Sequence, residues 1–90
     1  MFKTLEELIA TIRQRKGSSV EKSYTKKLLN DKKFSIEKVK EETAELLEAI
    51  EKNTNKIHES ADVLYHLMVL LEANDIKIED VMGELKKRQK

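Results

Sequence analysis

Cysteine is absent from the 90 residues. That excludes a disulfide framework and thiolate metal ligands, and it leaves oxygen and imidazole as the ligand chemistry open to a metal site. Proline is also absent and there are only two glycines, so little punctuates the chain and long helices meet few breakers. The four aromatic residues, Phe2, Tyr24, Phe34 and Tyr65, do not interleave with basic residues as a single-strand-binding platform requires. Nucleic acid is therefore not an expected partner. The longest apolar run, residues 63–71, is interrupted by His66 and is too short to cross a bilayer, while the N-terminus has no apolar signal segment. The expectation is a soluble, cytoplasmic protein with no membrane partner.

Charge, by contrast, is abundant. The formal net charge of +1 hides a division between residues 1–40, at +6, and residues 41–90, at −5. Such polarity suits a site where an acidic cluster holds cations while a basic segment holds an anionic ligand. A chain of 90 residues makes one domain, 1–90, near the size at which a monomer's core is thin and oligomerisation adds burial.

Glu, Lys and Leu dominate and strand-like alternation is missing, so the class is all-α. Thr4 and Glu7 form a capping-box pattern, and Leu5, Leu8, Ile9 and Ile12 a stripe that runs to Lys16, with Gly17 as a stop. Residues 18–21 read as loop, 24–30 as a short helix or turn with Leu28 and Leu29 inward, and 31–34 as a linker. Ser35 is the expected cap of a third helix with the stripe Ile36, Val39, Thr43, Leu46, Leu47 and Ile50, ending at the polar turn 53–55. A fourth helix spans about 57–73, closed by Asn74 and Asp75, and a fifth starts near Ile78 and carries Val81, Met82 and Leu85 before a basic tail without structure of its own. Four to five helices per chain are thus expected, in a bundle whose core is completed by dimerisation, because the fourth helix is apolar nearly all round from Ala61 to Leu71.

Residues 41–51 read EETAELLEAIE, five carboxylates with no Lys or Arg among them. Like charges three or four apart on a helix cost roughly 0.2–0.5 kcal/mol per pair. On the fourth helix Glu59, Asp62 and His66 form one row that continues into Val69, Leu70 and Ala73, so two acids lie on a surface that is buried a turn later. Each feature alone has an ordinary explanation: a solvated face for the glutamates, macrodipole stabilisation for Glu59 and Asp62, a satisfied core histidine for His66, and packing for Tyr65 and Met68. Their conjunction on consecutive helices joined by a short turn favours a site for Mg²⁺ or Mn²⁺, hard cations that take oxygen ligands.

The string E-E-T-A-E, thirteen residues, then E-S-A-D (Glu41, Glu42, Glu45, Glu59, Asp62) resembles the EExxE…ExxD signature of the all-α nucleoside triphosphate pyrophosphohydrolases related to MazG. SYTKKLL, from Ser23, and ESADVLYHLMVLL, from Glu59, resemble segments of one branch, the phosphoribosyl-ATP pyrophosphohydrolases. The likeness extends over nearly the whole chain, although Lys22 and Lys40 stand where members of that family often have Gly. It implies a MazG-like helical bundle that hydrolyses phosphoribosyl-ATP to phosphoribosyl-AMP and pyrophosphate in the second step of histidine biosynthesis. Glu42, Glu45, Glu59 and Asp62 would hold Mg²⁺, with Mn²⁺ as a substitute, bridging triphosphate oxygens and lowering the pKa of a bound water. Glu41, or whichever acid is least committed to metal, would take the proton from the attacking water. Arg13, Arg15, Lys16, Lys26 and Lys38 are the candidate anion contacts, and Ser23, Tyr24 and Thr25 the candidates for phosphate or ribose. A homodimer is expected, and association with the companion cyclohydrolase is left open. The rival readings are a house-cleaning pyrophosphohydrolase of the same fold acting on another nucleotide, and a non-enzymatic helical interaction module.

Overall fold

Five helices follow one another in the computed structural model, which describes residues 1–17 and 23–89: α1 (Lys3–Lys16), α2 (Tyr24–Asn30), α3 (Lys32–Lys52), α4 (Lys56–Ala73) and α5 (Ile78–Arg88). No strand occurs among the described residues, and the architecture is all-α. The expected loop at 18–21, like Lys22, lies outside the described residues. No described helix is long and apolar enough to cross a membrane.

The core forms where α1, α2 and α4 meet. Ile12, Leu28, Leu29, Met68, Val69 and Ala73 are buried there, with Leu5, Leu8, Ile9, Phe34, Tyr65 and Leu71 packed around them. The row predicted on α4 is therefore inward: His66, Val69 and Ala73 are all buried. The longest helices, α3 and α4, run beside each other, reversed by a turn in which Asn53 and Asn55 take left-handed backbone (φ 56° and 44°). Asparagine tolerates that conformation better than most residues because its short amide bonds locally.

Four local expectations are corrected. Thr4 is already helical, one residue inside α1, whose N-cap is Phe2 with no side-chain bond, so the Thr4–Glu7 box does not form. The predicted linker 31–34 is not a linker. Asp31 closes α2 and opens α3 at once, its Oδ1 accepting from the Phe34 amide at 3.0 Å. Ser35 consequently sits inside α3, buried, instead of capping it. The basic segment 86–88 is not an unstructured tail but the last turn of α5, where cations complement the helix C-terminus.

The largest correction concerns which side of α3 faces inward. Ser35, Glu42 and Ala49, seven residues apart, are its buried positions. The apolar stripe lies beside this line: Ile36 is exposed, as are Leu47 (57%) and Ile50 (55%). Ile57 and Leu64 of α4 are likewise exposed. The seam between α3 and α4 is thus drawn through a glutamate.

Candidate metal centre

Helical spacing sets the acids in place. Glu42 and Glu45 are one turn apart on α3, Glu59 and Asp62 one turn apart on the first half of α4, and the tight reversal at 53–55 brings the two turns face to face. Two groups result, in each of which one ligand atom per residue lies within 4.8 Å of the others: Glu42 with Glu45 and Glu59, and His58 with Glu59 and Asp62. An ion bound at about 2.0–2.2 Å places opposite ligands roughly 4.2 Å apart, so each group has the dimensions of a coordination shell.

Electrostatics make the cluster costly without a cation. Glu42 is only 7% exposed. Burial first, and the neighbouring Glu45 carboxylate second, hold its carboxyl above the ordinary range. Glu59 is also raised, by desolvation and then by Glu45. Glu42 Oε2 and Glu59 Oε2 are buried and have no hydrogen-bond partner among the described residues. Buried carboxylate oxygens are ordinarily paired, and a set of hard oxygen donors with orphaned acceptors fits a divalent cation.

Around this centre the candidate residues divide. Lys38 belongs to it: its Nζ lies 3.3 Å from Glu41 Oε2 and 3.7 Å from Glu42 Oε1. Hydrogen bonding to Glu41 raises the Lys38 pKa, so the ammonium is firmly charged. Glu41 itself is exposed and stands outside both ligand groups. Tyr24 reaches across from α2 and its hydroxyl lies 2.9 Å from His66 Nε2. His66 Nδ1 is 2.8 Å from the Asp62 carbonyl. A carbonyl only accepts, so Nδ1 carries the proton, and in the neutral ring Nε2 accepts from Tyr24. His66 is thus a buried histidine bonded at both nitrogens, as its ordinary reading required, yet it joins the SYT segment to the backbone of a predicted metal ligand. Thr25 Oγ1 bonds to the Tyr65 hydroxyl, and Ser23 caps α2, accepting from the Lys26 amide at 3.3 Å.

The remaining basic candidates form no ion pair with these acids among the described residues. Arg13 forks onto Glu79 at 2.9 and 2.6 Å and touches Glu72. Lys16 donates to Asp75 Oδ1 at 2.6 Å and to the Glu72 carbonyl at 2.7 Å. Glu72 follows Glu59 by thirteen residues on α4, about 20 Å along the axis, so these two cations are held at the far end from the acids. Lys26 Nζ donates to the Lys16 carbonyl at 3.0 Å, and Arg15 is exposed on α1. His58 is the residue that sequence reasoning missed. Its signal was the four-residue step to Asp62, which sets its Nε2 3.3 Å from Asp62 Oδ2.

Beside Glu45 and Glu59 a cleft of about 260 Å³ opens toward Glu48, Lys52 and Thr54. It gives a ligand held at the acids a place to extend.

Residues 5–89 match the family model described as phosphoribosyl-ATP pyrophosphohydrolase. Among curated proteins, the chain is 41% identical over 91 residues to the phosphoribosyl-ATP pyrophosphatase of Caulobacter sp., covering 99% of this chain and 85% of that one. It is 42% identical over 90 residues to the phosphoribosyl-ATP pyrophosphatase of Methanococcoides burtonii, covering 94% and 91%. It is also 48% identical over 87 residues to the histidine biosynthesis bifunctional protein HisIE of Pyrococcus furiosus, covering 96% of this chain and spanning 41% of that longer protein.

Proposed function

The chain belongs to the phosphoribosyl-ATP pyrophosphohydrolase family, and on that premise we propose that it hydrolyses phosphoribosyl-ATP to phosphoribosyl-AMP and pyrophosphate, in the cytoplasm, with Mg²⁺ as its cation. The observation that carries the cation is the pair of buried, unpartnered carboxylate oxygens on Glu42 and Glu59. In the reaction the oxygen of water attacks phosphorus, the anhydride bond between the α and β phosphates breaks, and pyrophosphate leaves. A divalent cation at the acids supplies neutralisation of the triphosphate oxygens, which the carboxylates would otherwise repel.

The chain's own residues do the rest. Glu42, Glu45, Glu59 and Asp62 hold the cation. Glu41, exposed and paired with Lys38, takes the proton of the attacking water in this reading. Lys38 pairs with Glu41 and offers one positive charge at the edge of the acids. Tyr24, oriented by His66, faces the same side and contacts the part of the substrate that ATP lacks, together with Ser23, Thr25, Lys26 and Arg15. Arg13 and Lys16 serve instead as ties between α1, the end of α4 and the start of α5.

Two copies form a homodimer through α3 and α4. The support is the set of exposed large apolar residues on these two helices, Ile36, Leu47 and Ile50 of α3 with Ile57 and Leu64 of α4, which a second copy would cover. Sedimentation at micromolar concentration checks it, and a monomer would contradict it. For the activity, the test is pyrophosphate release from phosphoribosyl-ATP beside a panel of other nucleoside triphosphates. Preference for phosphoribosyl-ATP supports the reading. Faster turnover of another nucleotide would support the house-cleaning alternative instead.

A further inference from the structure

Two hydrogen bonds join the start of α2 to consecutive residues of α4, Tyr24 to His66 and Thr25 to Tyr65. The protons of the first pair can be counted. His66 Nδ1 lies 2.8 Å from the Asp62 carbonyl, which only accepts, so the single proton of the neutral ring sits there. Nε2 must then accept, and the donor 2.9 Å away is the Tyr24 hydroxyl. Burial, the largest influence on the Tyr24 phenol, raises it above its ordinary value, so it keeps its proton. That proton is spent on His66, and Tyr24 has only oxygen lone pairs left to offer a ligand. Turning the hydroxyl away would strand Nε2 on a histidine that is 6% exposed, and buried polar atoms are rarely left without a partner. The Thr25–Tyr65 pair differs: two hydroxyl protons serve one bond, and one stays free to donate.

Tyr24 is 46% exposed, and the charges of Lys38, Glu42 and Glu41 all act on its hydroxyl, so it stands at the edge of the acidic centre. Its ring is held edge-on to Phe34 and stacked on Tyr65, with centroids 6.4 Å away in each case. An ionised phosphate carries acceptors only and is repelled by a lone pair, whereas a sugar hydroxyl has a proton to give. Resting on the function proposed above, we propose that Tyr24 is a specificity-determining residue that accepts a hydrogen bond from a hydroxyl of the ribose that ATP lacks, and that His66 is the positioning residue that holds it as an acceptor. The phosphate on that ribose finds its donors elsewhere.

The test measures kcat/KM with Mg²⁺, in mildly alkaline buffer where imidazole is neutral, for the native chain and for Tyr24→Phe. The substrates are phosphoribosyl-ATP, its analogue with both hydroxyls of the extra ribose replaced by hydrogen, and its analogue without the phosphate on that ribose. The variant keeps the ring and its packing, and circular dichroism checks the fold. Tyr24→Phe should slow phosphoribosyl-ATP and the phosphate-free analogue alike, by roughly two- to tenfold, the worth of one neutral hydrogen bond. With the dideoxy analogue, which has already lost the hydroxyl, that difference between native chain and variant should vanish. No loss with phosphoribosyl-ATP, a loss that persists with the dideoxy analogue, or one that disappears with the phosphate-free analogue would overturn the inference. Independently, ¹⁵N NMR of the native chain, with His66 told from His58 by a His58→Gln variant, should show the Nδ1–H tautomer at His66. A neutral ring protonated at Nε2 would free the Tyr24 proton for a phosphate and overturn the inference as well. A native chain that turns over ATP as fast as phosphoribosyl-ATP would overturn the proposed function itself, and this inference with it.

Discussion

Replacing Glu42 with Gln keeps the side chain's shape and removes its charge from a place where burial and Glu45 already oppose ionisation. Leaving a buried polar group unsatisfied costs about 1–3 kcal/mol, and more for a charged one. The neutral amide relieves part of that cost, together with the repulsion from Glu45 and Asp62. Against it stands the loss of the Lys38 contact at 3.7 Å, an i,i+4 pair worth about 0.3–0.5 kcal/mol. The expected net effect in chelator is a stabilisation of about 1 kcal/mol, or roughly 4–8 °C in Tm for a domain of this size. Saturating Mg²⁺ should reverse the order, because a ligand at a hundred times its Kd adds about 2.7 kcal/mol to the native chain and the variant has lost a donor. The sign with pH follows from the same groups. The folded carboxyls of Glu42 and Glu59 lie above the ordinary value of 4.5, so the folded chain holds protons that the unfolded chain releases. Their contribution is present below 4.5 and is lost as pH rises through the folded values. Thermal unfolding by circular dichroism, at fixed protein concentration, with chelator and with Mg²⁺, reads all three effects. A variant less stable than the native chain in chelator, or one gaining as much from Mg²⁺, would refute the reasoning.

Asp62→Asn should abolish Mg²⁺-dependent turnover, by more than the roughly 10–100-fold typical of groups that only support a metal ligand, while helix content stays native; retention of most of the activity would remove Asp62 from the ligand set. Tyr24→Ala and Arg15→Ala should narrow the preference for phosphoribosyl-ATP over ATP, whereas Glu45→Gln should lower both in parallel, because a cation sees only phosphate oxygens; the ratio of kcat/KM values for the two substrates decides. Glu79 has its carboxyl lowered to about 2 by the Arg13 fork, so its contribution to stability is present above the ordinary value of 4.5 and is lost as pH falls toward 2. Glu79→Gln should therefore weaken the descent in stability across that acid range, and an unchanged descent in acid unfolding would count against the tie between α1 and α5.

The acidic row was legible because it is a matter of local geometry. Three- and four-residue steps put Glu42 with Glu45, and Glu59 with Asp62, on single helix faces whatever the rest of the chain does. The short polar turn at 53–55 then obliged those faces to meet. Burial of α4 was legible for a similar reason, since a helix apolar nearly all round has few other places to go. The capping positions were not legible, because Asp31 and Ser35 are both good caps by type and only packing selects Asp31, by drawing Ser35 into the seam. The unstructured tail was misjudged because a run of cations at 86–88 reads alike as a free tail and as a last helical turn.

What the sequence determined by itself was the all-α class, the helix order, the alignment of the acids on single helix faces and the family to which the chain belongs. These rest on periodicity and on short motifs whose geometry is internal to one helix. Tertiary structure alone decided which line of α3 turns inward, and it chose Ser35, Glu42 and Ala49 over the more apolar stripe next to them. It also decided that Arg13 and Lys16 meet Glu72, Asp75 and Glu79, and that Tyr24 meets His66. The physical reason is common to all three. A side chain's partner across forty or more residues depends on how whole helices rotate against one another, and that rotation minimises the cost of the entire interface, not the preference of any one stripe.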